Sequence, residues 1–298
     1  MTAMEKEAVE GFKEAGEISK KAKALVRKLV KPGASVLDIV NQVEGLIEKE
    51  GAKPGFPLNF SINTVAAHYT PPSGAELEVG EDDIIKIDTG VHVDGYPADT
   101  AITISTSESE THLNLIAAAE AALEKAIEIV SPGIRVGEIG AVIQKEIESY
   151  GLKPIENLCG HSVERYNLHA GMTIPNVAGK GPELKEGMAI AIEPFSTNGL
   201  GRVSDAQDVY IYEYMRDVPT RNRDSRKILS MARDDFSKLP FATRWLGISE
   251  LKSRIALKEL VNNKAIYSYP VLKEAGGGLV AQAEHTMIVT SDGAKVTT

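Results

Sequence analysis

Asp88, Asp99, Glu193 and Glu284 are acids set in apolar stretches of sequence, and a carboxylate taken out of water needs a partner. Asp94-Gly95 is a two-residue hairpin signal. If it forms the centre of the turn, Gly90 pairs with Asp99, and Asp88 lies on the same face as the diagonal neighbour of Asp99. Diagonal neighbours are about 7 to 8 Å apart at the backbone. From that separation two carboxylates can hold a pair of metal ions roughly 3.5 to 4 Å apart. Asp88 follows Ile84, Ile85 and Ile87, which places it at the end of a buried strand. Glu193 closes the apolar run Ala189 to Ile192, and Glu284 stands among Leu279, Val280, Ala281, Ala283, Met287, Ile288 and Val289. Singly, each acid also reads as an edge or turn carboxylate in water. Together they would repel one another without a cation. His161, in Cys159-Gly160-His161, offers a nitrogen, its alternative being a satisfied structural histidine. An oxygen-rich site that includes a histidine suits Mn, Fe, Co or Zn.

The elements that must carry these residues show a repeat. Val30, Pro32, Gly33, Val36, Ile39, Ile47, Glu48, Gly51, Lys53 and Pro54 return, each 100 positions later, from Val130 to Pro154. In both copies a helical pattern runs up to Pro-Gly, and apolar residues at helical spacing follow it. Ser35 with Asp38 makes a capping-box start in the first copy, and Gly51 and Gly151 are stop signals. Two copies of this length point to a duplicated half-domain, each half a helix pair with sheet, packed about a pseudo-twofold axis. Strand patterns follow at Ile84 to Asp88 and Asp99 to Ile104, then at Met188 to Glu193 and Val209 to Tyr214, with Leu279 to Val289 as one last strand. The segment 216–268, helix-rich and Arg/Lys-rich between Arg216 and Lys264, has no counterpart in the first half and reads as an insertion. The expected organisation is one domain over 1–298, with halves of roughly 1–106 and 107–298.

Composition narrows the function. The 298 residues carry 33 Lys plus Arg against 42 Asp plus Glu, a net charge of -9, which argues against binding DNA or a membrane surface through excess positive charge. The single cysteine, Cys159, excludes an internal disulfide framework and a multi-cysteine zinc site, and favours a reducing, cytoplasmic setting. Met1 to Glu7 is polar and acidic and carries no signal-like apolar region.

The order Asp88, Asp99, His161, Glu193, Glu284, with His68 in Ala66-Ala67-His68-Tyr69-Thr70-Pro71, resembles the methionine aminopeptidases of the pita-bread fold. The eight-residue step from His161 to His169 resembles the type 2 branch, as do Phe241-Ala242-Thr243-Arg244-Trp245-Leu246, Tyr269-Pro270-Val271-Leu272 and Gln282-Ala283-Glu284-His285-Thr286. The resemblance covers nearly the whole chain and points to a short archaeal form. It implies an α+β fold of two pseudo-twofold-related halves, with a central antiparallel sheet flanked by helices and a type 2 helical insertion.

The resemblance also implies roles. Asp88 would hold one of two divalent metal ions (Co, Mn, Fe or Zn), Asp99 and Glu284 would bridge both, and His161 and Glu193 would bind the other. A metal-bridging water or hydroxide would attack, with Glu193 as proton shuttle and the substrate's α-amine on one metal. His169 would stabilise the oxyanion, and His68 would hydrogen-bond the scissile amide and be alkylated by fumagillin-type epoxides. Phe56 and Tyr269 match positions lining a methionine pocket, with core packing as the alternative. Ile211 stands where many relatives carry a histidine. His92, His112 and His285 read as structural or solvated, His285 being near enough to Glu284 to support it, and Cys159 as a small buried residue. The expected activity is removal of initiator methionine from nascent proteins whose second residue is small, by a cytoplasmic monomer. The ribosome is a candidate partner, although the Arg-rich insertion reads first as a solvated helical face. Two rivals are a proline-specific peptidase of the same fold, which usually carries a further N-terminal domain, and a catalytically dead relative, which would have lost ligands.

Overall fold

The computed structural model describes residues 4–298; Met1 to Ala3, the start of the segment read as carrying no signal, lie outside the described residues. Helices α1 (Lys6–Leu29) and α2 (Val36–Lys49) lead into strands β1 (Lys53–Ile62), β2 (Val65–Ala67), β3 (Ile84–Val93) and β4 (Tyr96–Ser105). The second half opens with α3 (Glu110–Ile129) and α4 (Val136–Ser149). Strands β5 (Lys153–Pro154), β6 (Cys159–Val163), β7 (Thr173–Pro175), β8 (Ala189–Ile192), β9 (Phe195–Thr197) and β10 (Val203–Tyr214) follow. Within 216–268 lie α5 (Arg223–Met231), a π-helical turn (Ala232–Phe236), β11 (Phe241–Ala242), a 3-10 turn (Thr243–Leu246) and α6 (Glu250–Asn262). The chain closes through β12 (Ile266–Glu274), β13 (Val280–Gln282), β14 (His285–Thr290) and β15 (Gly293–Val296).

Contacts repeat as well as residues. Gly33 N–H donates to the Val79 carbonyl at 2.8 Å, and Gly133 N–H donates to the Leu184 carbonyl at 2.8 Å. Val36 and Val136 likewise reach Leu77 and Pro182 at 2.9 and 3.1 Å. The helix starts differ in chemistry. Ser35 accepts from Asp38 N–H at 3.3 Å, whereas at Arg135 it is Glu138 that reaches back to the backbone N–H at 3.0 Å. Each helix pair covers its own sheet and core. Ile39, Val43 and Ile47 are buried with Phe60 and Ile85 in the first half; Ile139, Ile143 and Ile147 are buried with Ile190 and Met287 in the second. Burying each such side chain is worth roughly 1.5–3 kcal/mol. The insertion packs a separate apolar cluster around Phe241, Leu257 and Leu260.

Paired strands run antiparallel throughout, in sheets ordered β1-β3-β4, β11-β10-β12-β2, β13-β9-β5 and β15-β14-β8-β6-β7. Two expectations change. Asp88 is not the end of a strand, because β3 runs on to Val93. Leu279 to Val289 is not one strand: β13 stops at Gln282 and β14 begins at His285, leaving Ala283 and Glu284 outside the ladder. Among the described residues, no helix is long and apolar enough to cross a membrane.

Candidate metal centre

The hairpin has the expected register: Gly90 faces Asp99, and Asp88 faces Ala101. A Cβ on Gly90 would lie 2.3 Å from the Phe56 ring, so glycine is what lets that ring cross the hairpin beside the acids. Opposite it, two ladders break at the same level. Ile192 pairs with His285 and Phe195 with Gln282, so Glu193-Pro194 and Ala283-Glu284 lie side by side in the gap, and Ala283 N–H donates to the Pro194 carbonyl at 3.2 Å. Such interruptions re-aim side chains; these two turn Glu193 and Glu284 toward the hairpin.

Threonines join the halves. Thr286 Oγ1 accepts from Asp99 N–H at 2.9 Å and donates to the Asp99 carbonyl at 2.8 Å. Thr100 donates to the Glu284 carbonyl at 2.7 Å. Thr103 donates to the Gln282 carbonyl at 2.6 Å and accepts Gln282 N–H at 2.8 Å. Glu284 N–H reaches the Ala101 carbonyl at 3.1 Å. His161 enters from β6 opposite Ala191, where a Cβ on the adjacent Gly160 would stand 2.3 Å from the Ala191 carbonyl oxygen.

All nine sequence-selected residues, Asp88, Asp99, His161, Glu193, Glu284, His68, His169, Phe56 and Tyr269, line one cavity of about 380 Å³, as does Ile211. One ligand atom each from Asp99, His161 and Glu284 lies within 4.8 Å of the other two, and His161 Nε2 is 3.4 Å from Asp99 Oδ2. Asp88 Oδ1, Asp99 Oδ1 and Glu284 Oε2 are buried with no hydrogen-bond partner among the described residues. Orphaned carboxylate oxygens beside an imidazole fit a divalent cation, which satisfies the oxygens and offsets their repulsion.

The electrostatics agree. Burial first, then the charges of Asp99 and Glu193, hold the Asp88 carboxyl well above the usual carboxylate range; burial and the other three acids do the same to Glu284. Burial carries Glu193 up to about 8, aided by Asp99 and opposed by His161. For His161, burial works against the charged form, but Asp99 and Glu193 outweigh it and raise the pKa. Gln282 Nε2 donates to Glu193 Oε2 at 3.3 Å, and Asn176 Nδ2 holds the Glu193 carbonyl at 3.2 Å.

His68 Nδ1 lies 3.1 Å from the Pro270 carbonyl, and burial lowers its pKa. Because a carbonyl only accepts, Nδ1 carries the proton and Nε2 is left as an acceptor. Burial takes His169 down to about 3, with His161 and His68 adding to the effect. The His169 ring stands edge-on to that of His161, centroids 4.5 Å apart, and its Nδ1 is 3.4 Å from the Tyr269 hydroxyl, which also donates to Glu213. The remaining histidines lie outside the cavity lining. His92 Nδ1 accepts Gly95 N–H at 3.1 Å, His112 meets Ser105, and His285 is 2.7 Å from Thr298 Oγ1. The Cys159 thiol is pushed up to about 11 by burial and by Glu193, which denies it the thiolate a nucleophile needs. Sequence reasoning missed Thr100, Thr103, Thr286 and Asn176, since a lone polar residue gives no sign of a partner up to 187 positions away.

The sequence matches metallopeptidase family M24 over residues 10–291. It is 47% identical over 293 residues to the methionine aminopeptidase of Thermococcus onnurineus, covering 97% of this chain and 99% of that protein. The structure of a thermophilic Arx1 superposes with a TM-score of 0.89 at 22% identity, over 99% of this chain and 91% of that one. The methionine aminopeptidase of Thermotoga maritima superposes with a TM-score of 0.74 at 25% identity, over 100% and 98%.

Proposed function

The chain belongs to metallopeptidase family M24, with its pita-bread fold, and is a metal-dependent aminopeptidase; we propose that it removes initiator methionine from nascent proteins whose second residue is small. One observation carries the reading: four carboxylates and an imidazole from both halves converge on one cavity, with three carboxylate oxygens that nothing among the described residues satisfies. The names of the relatives supply the substrate.

Asp88, Asp99, His161, Glu193 and Glu284 would hold the two divalent ions, of Co, Mn, Fe or Zn. Bound there, divalent ions supply Lewis acidity toward the scissile carbonyl and a water of lowered pKa. Glu193, steadied by Gln282, takes a proton from the attacking water and returns it to the leaving amine. His68, neutral and with Nε2 free to accept, takes a hydrogen bond from an N–H at the scissile amide. His169, which lines the cavity beside His161, is the group placed to stabilise the developing oxyanion. Phe56, Tyr269 and Ile211 form the wall against which the methionine side chain packs. The acid-rich end draws the free α-amine, which limits cleavage to the first residue. The enzyme works in the cytoplasm as a monomer. With the buried Arg244 left out, eleven Lys and Arg against six Asp and Glu between Arg216 and Lys264 support contact with ribosomal RNA.

The test is incubation with Met-Ala-Ser, Met-Lys-Ser, Leu-Ala-Ser and an X-Pro dipeptide, with and without added Mn or Co, read by mass spectrometry. Met-Ala-Ser should lose its methionine and the others react poorly. Preference for X-Pro would move the assignment to a proline-specific peptidase, and no cleavage at any metal level to a dead relative.

A further inference from the structure

Arg244 and Trp245, in the 3-10 turn of the insertion, do not line the catalytic cavity, yet they hold Glu44, a buried acid outside it. Arg244 Nη2 donates to Glu44 Oε1, and Trp245 Nε1 donates to Glu44 Oε2 at 3.0 Å. The pair is buried, with side chains 5% and 10% exposed. Glu44 Oε1 also accepts Leu58 N–H at 3.1 Å. From Nη1, Arg244 donates to Thr70 Oγ1 at 2.5 Å, and Thr70 in turn donates to the Leu58 carbonyl at 2.7 Å.

Leu58 is where β1 departs from its ladder. Phe56 pairs with Gly90 and Asn59 with Asp88, so three steps on β1 answer two on β3, and Pro57-Leu58 form a bulge. Both backbone groups that the bulge leaves over at Leu58 are taken up by the clamp, the N–H by Glu44 and the carbonyl by Thr70. On one side of the bulge Phe56 lines the cavity; on the other, Asn59 Oδ1 accepts His68 N–H at 2.6 Å. His68 has a φ of 64, a left-handed conformation that a residue with a side chain keeps only when its surroundings hold it there. The holding contacts are Asn59 before it, Phe60 N–H on the Tyr69 carbonyl at 2.7 Å, and Thr70 gripped by Arg244.

We propose that Arg244 and Glu44 are positioning residues for the reaction, holding the Pro57–Leu58 bulge and the loop through Thr70 so that His68 and Phe56 keep their places in the cavity. The insertion thereby takes part in catalysis without contributing a group to the cavity's chemistry. The inference rests on the role assigned to His68 above.

The experiment uses the full chain with Glu44→Gln and Arg244→Met together. Exchanging a buried ion pair for neutral groups of similar size is often neutral to stability. The double variant is made in the parent and in a His68→Ala background. In the parent, metal content should be unchanged while kcat for Met-Ala-Ser falls by about 10- to 100-fold, the cost of a misplaced group. In the His68→Ala background the same pair of changes should cost less than about threefold, because coupled residues are not additive. In ¹⁵N-histidine spectra of chelated protein, the His68 ring signals should move and those of His285 should stay. An unchanged kcat in the parent, an equal loss in both backgrounds, or an unmoved His68 signal would overturn the inference. Should the double variant not fold, Thr70→Val, which removes one hydroxyl and leaves the ion pair, is read against the same outcomes. Turnover by the parent protein tests the assigned activity, and the histidine signal needs no turnover, so the two failures are told apart.

Discussion

The two halves share a helix pair and a Pro-Gly entry, yet they deliver their candidate metal ligands by opposite means. In the first half, Asp88 and Asp99 stand on an unbroken ten-rung hairpin, and their separation is a matter of register. In the second, Glu193 and Glu284 occupy a gap where β8 and β9, and β13 and β14, fail to join, and only His161 rides on a continuous strand. A regular ladder places side chains at fixed spacing with every backbone group satisfied. A broken one turns two acids inward but leaves backbone groups that something else must take up. Here Ala101, Thr100 and Thr103 of the first half do so, which makes the regular half the template for the irregular one.

If both halves serve one metal centre, removing a ligand from either should have the same large effect. Asp99→Ala and Glu284→Ala should each lose metal and lower kcat on the order of 1,000-fold or more, since metal Lewis acidity is worth several kcal/mol. Metal analysis beside peptide kinetics checks this. A variant that keeps its metal and its rate would split the halves functionally.

The histidines divide between the halves too. His68→Ala, in the first half, should keep metal content and melting temperature while losing at least about tenfold in kcat, within the range for a hydrogen-bonding or proton-transfer histidine. Peptide mapping after a fumagillin-type epoxide should find the adduct on His68, whose Nε2 is the free nucleophile. An adduct elsewhere would undo that assignment.

Acid repulsion across the halves predicts a pH signature in chelated protein. The Asp88, Glu193 and Glu284 carboxyls are all held above their ordinary values in the folded chain, so the fold binds protons more tightly than the unfolded chain does. The stability this contributes is present in full below about pH 4.5 and is lost as pH rises toward the Glu193 value of about 8. Melting temperature should therefore fall with rising pH over that window, and added metal should suppress the slope. A rising curve in chelated protein would contradict the buried-acid picture.

The smallest effect should come from the seam. Thr103→Val removes both side-chain bonds to Gln282 and should destabilise by about 1–3 kcal/mol, read as a lower melting temperature with metal ligands intact. No change would mean that β13 is held by its β9 pairing alone.

The same contrast explains what was legible in the sequence. Asp94-Gly95 yields the whole β3–β4 register, because turn chemistry and a period of two leave little freedom. Leu279 to Val289 reads as continuous because the break at Ala283-Glu284 has no glycine or proline to mark it, and what ends the strand is the pull of Ala101 and Pro194 from elsewhere in the fold. Glu44 sits in an ordinary amphipathic helix pattern, and its buried partner lies 200 residues on. Ile211 pairs with Tyr269 and lines the cavity, so it bears on the cavity wall and leaves the acids untouched.

Turnover of Met-Ala-Ser against added metal, starting from exhaustively chelated protein, tests the central claim most directly. The account predicts no methionine release without metal, recovery with Mn, Co or Fe, and loss of that recovery in Asp99→Ala. Full activity in protein shown by metal analysis to hold none would contradict it.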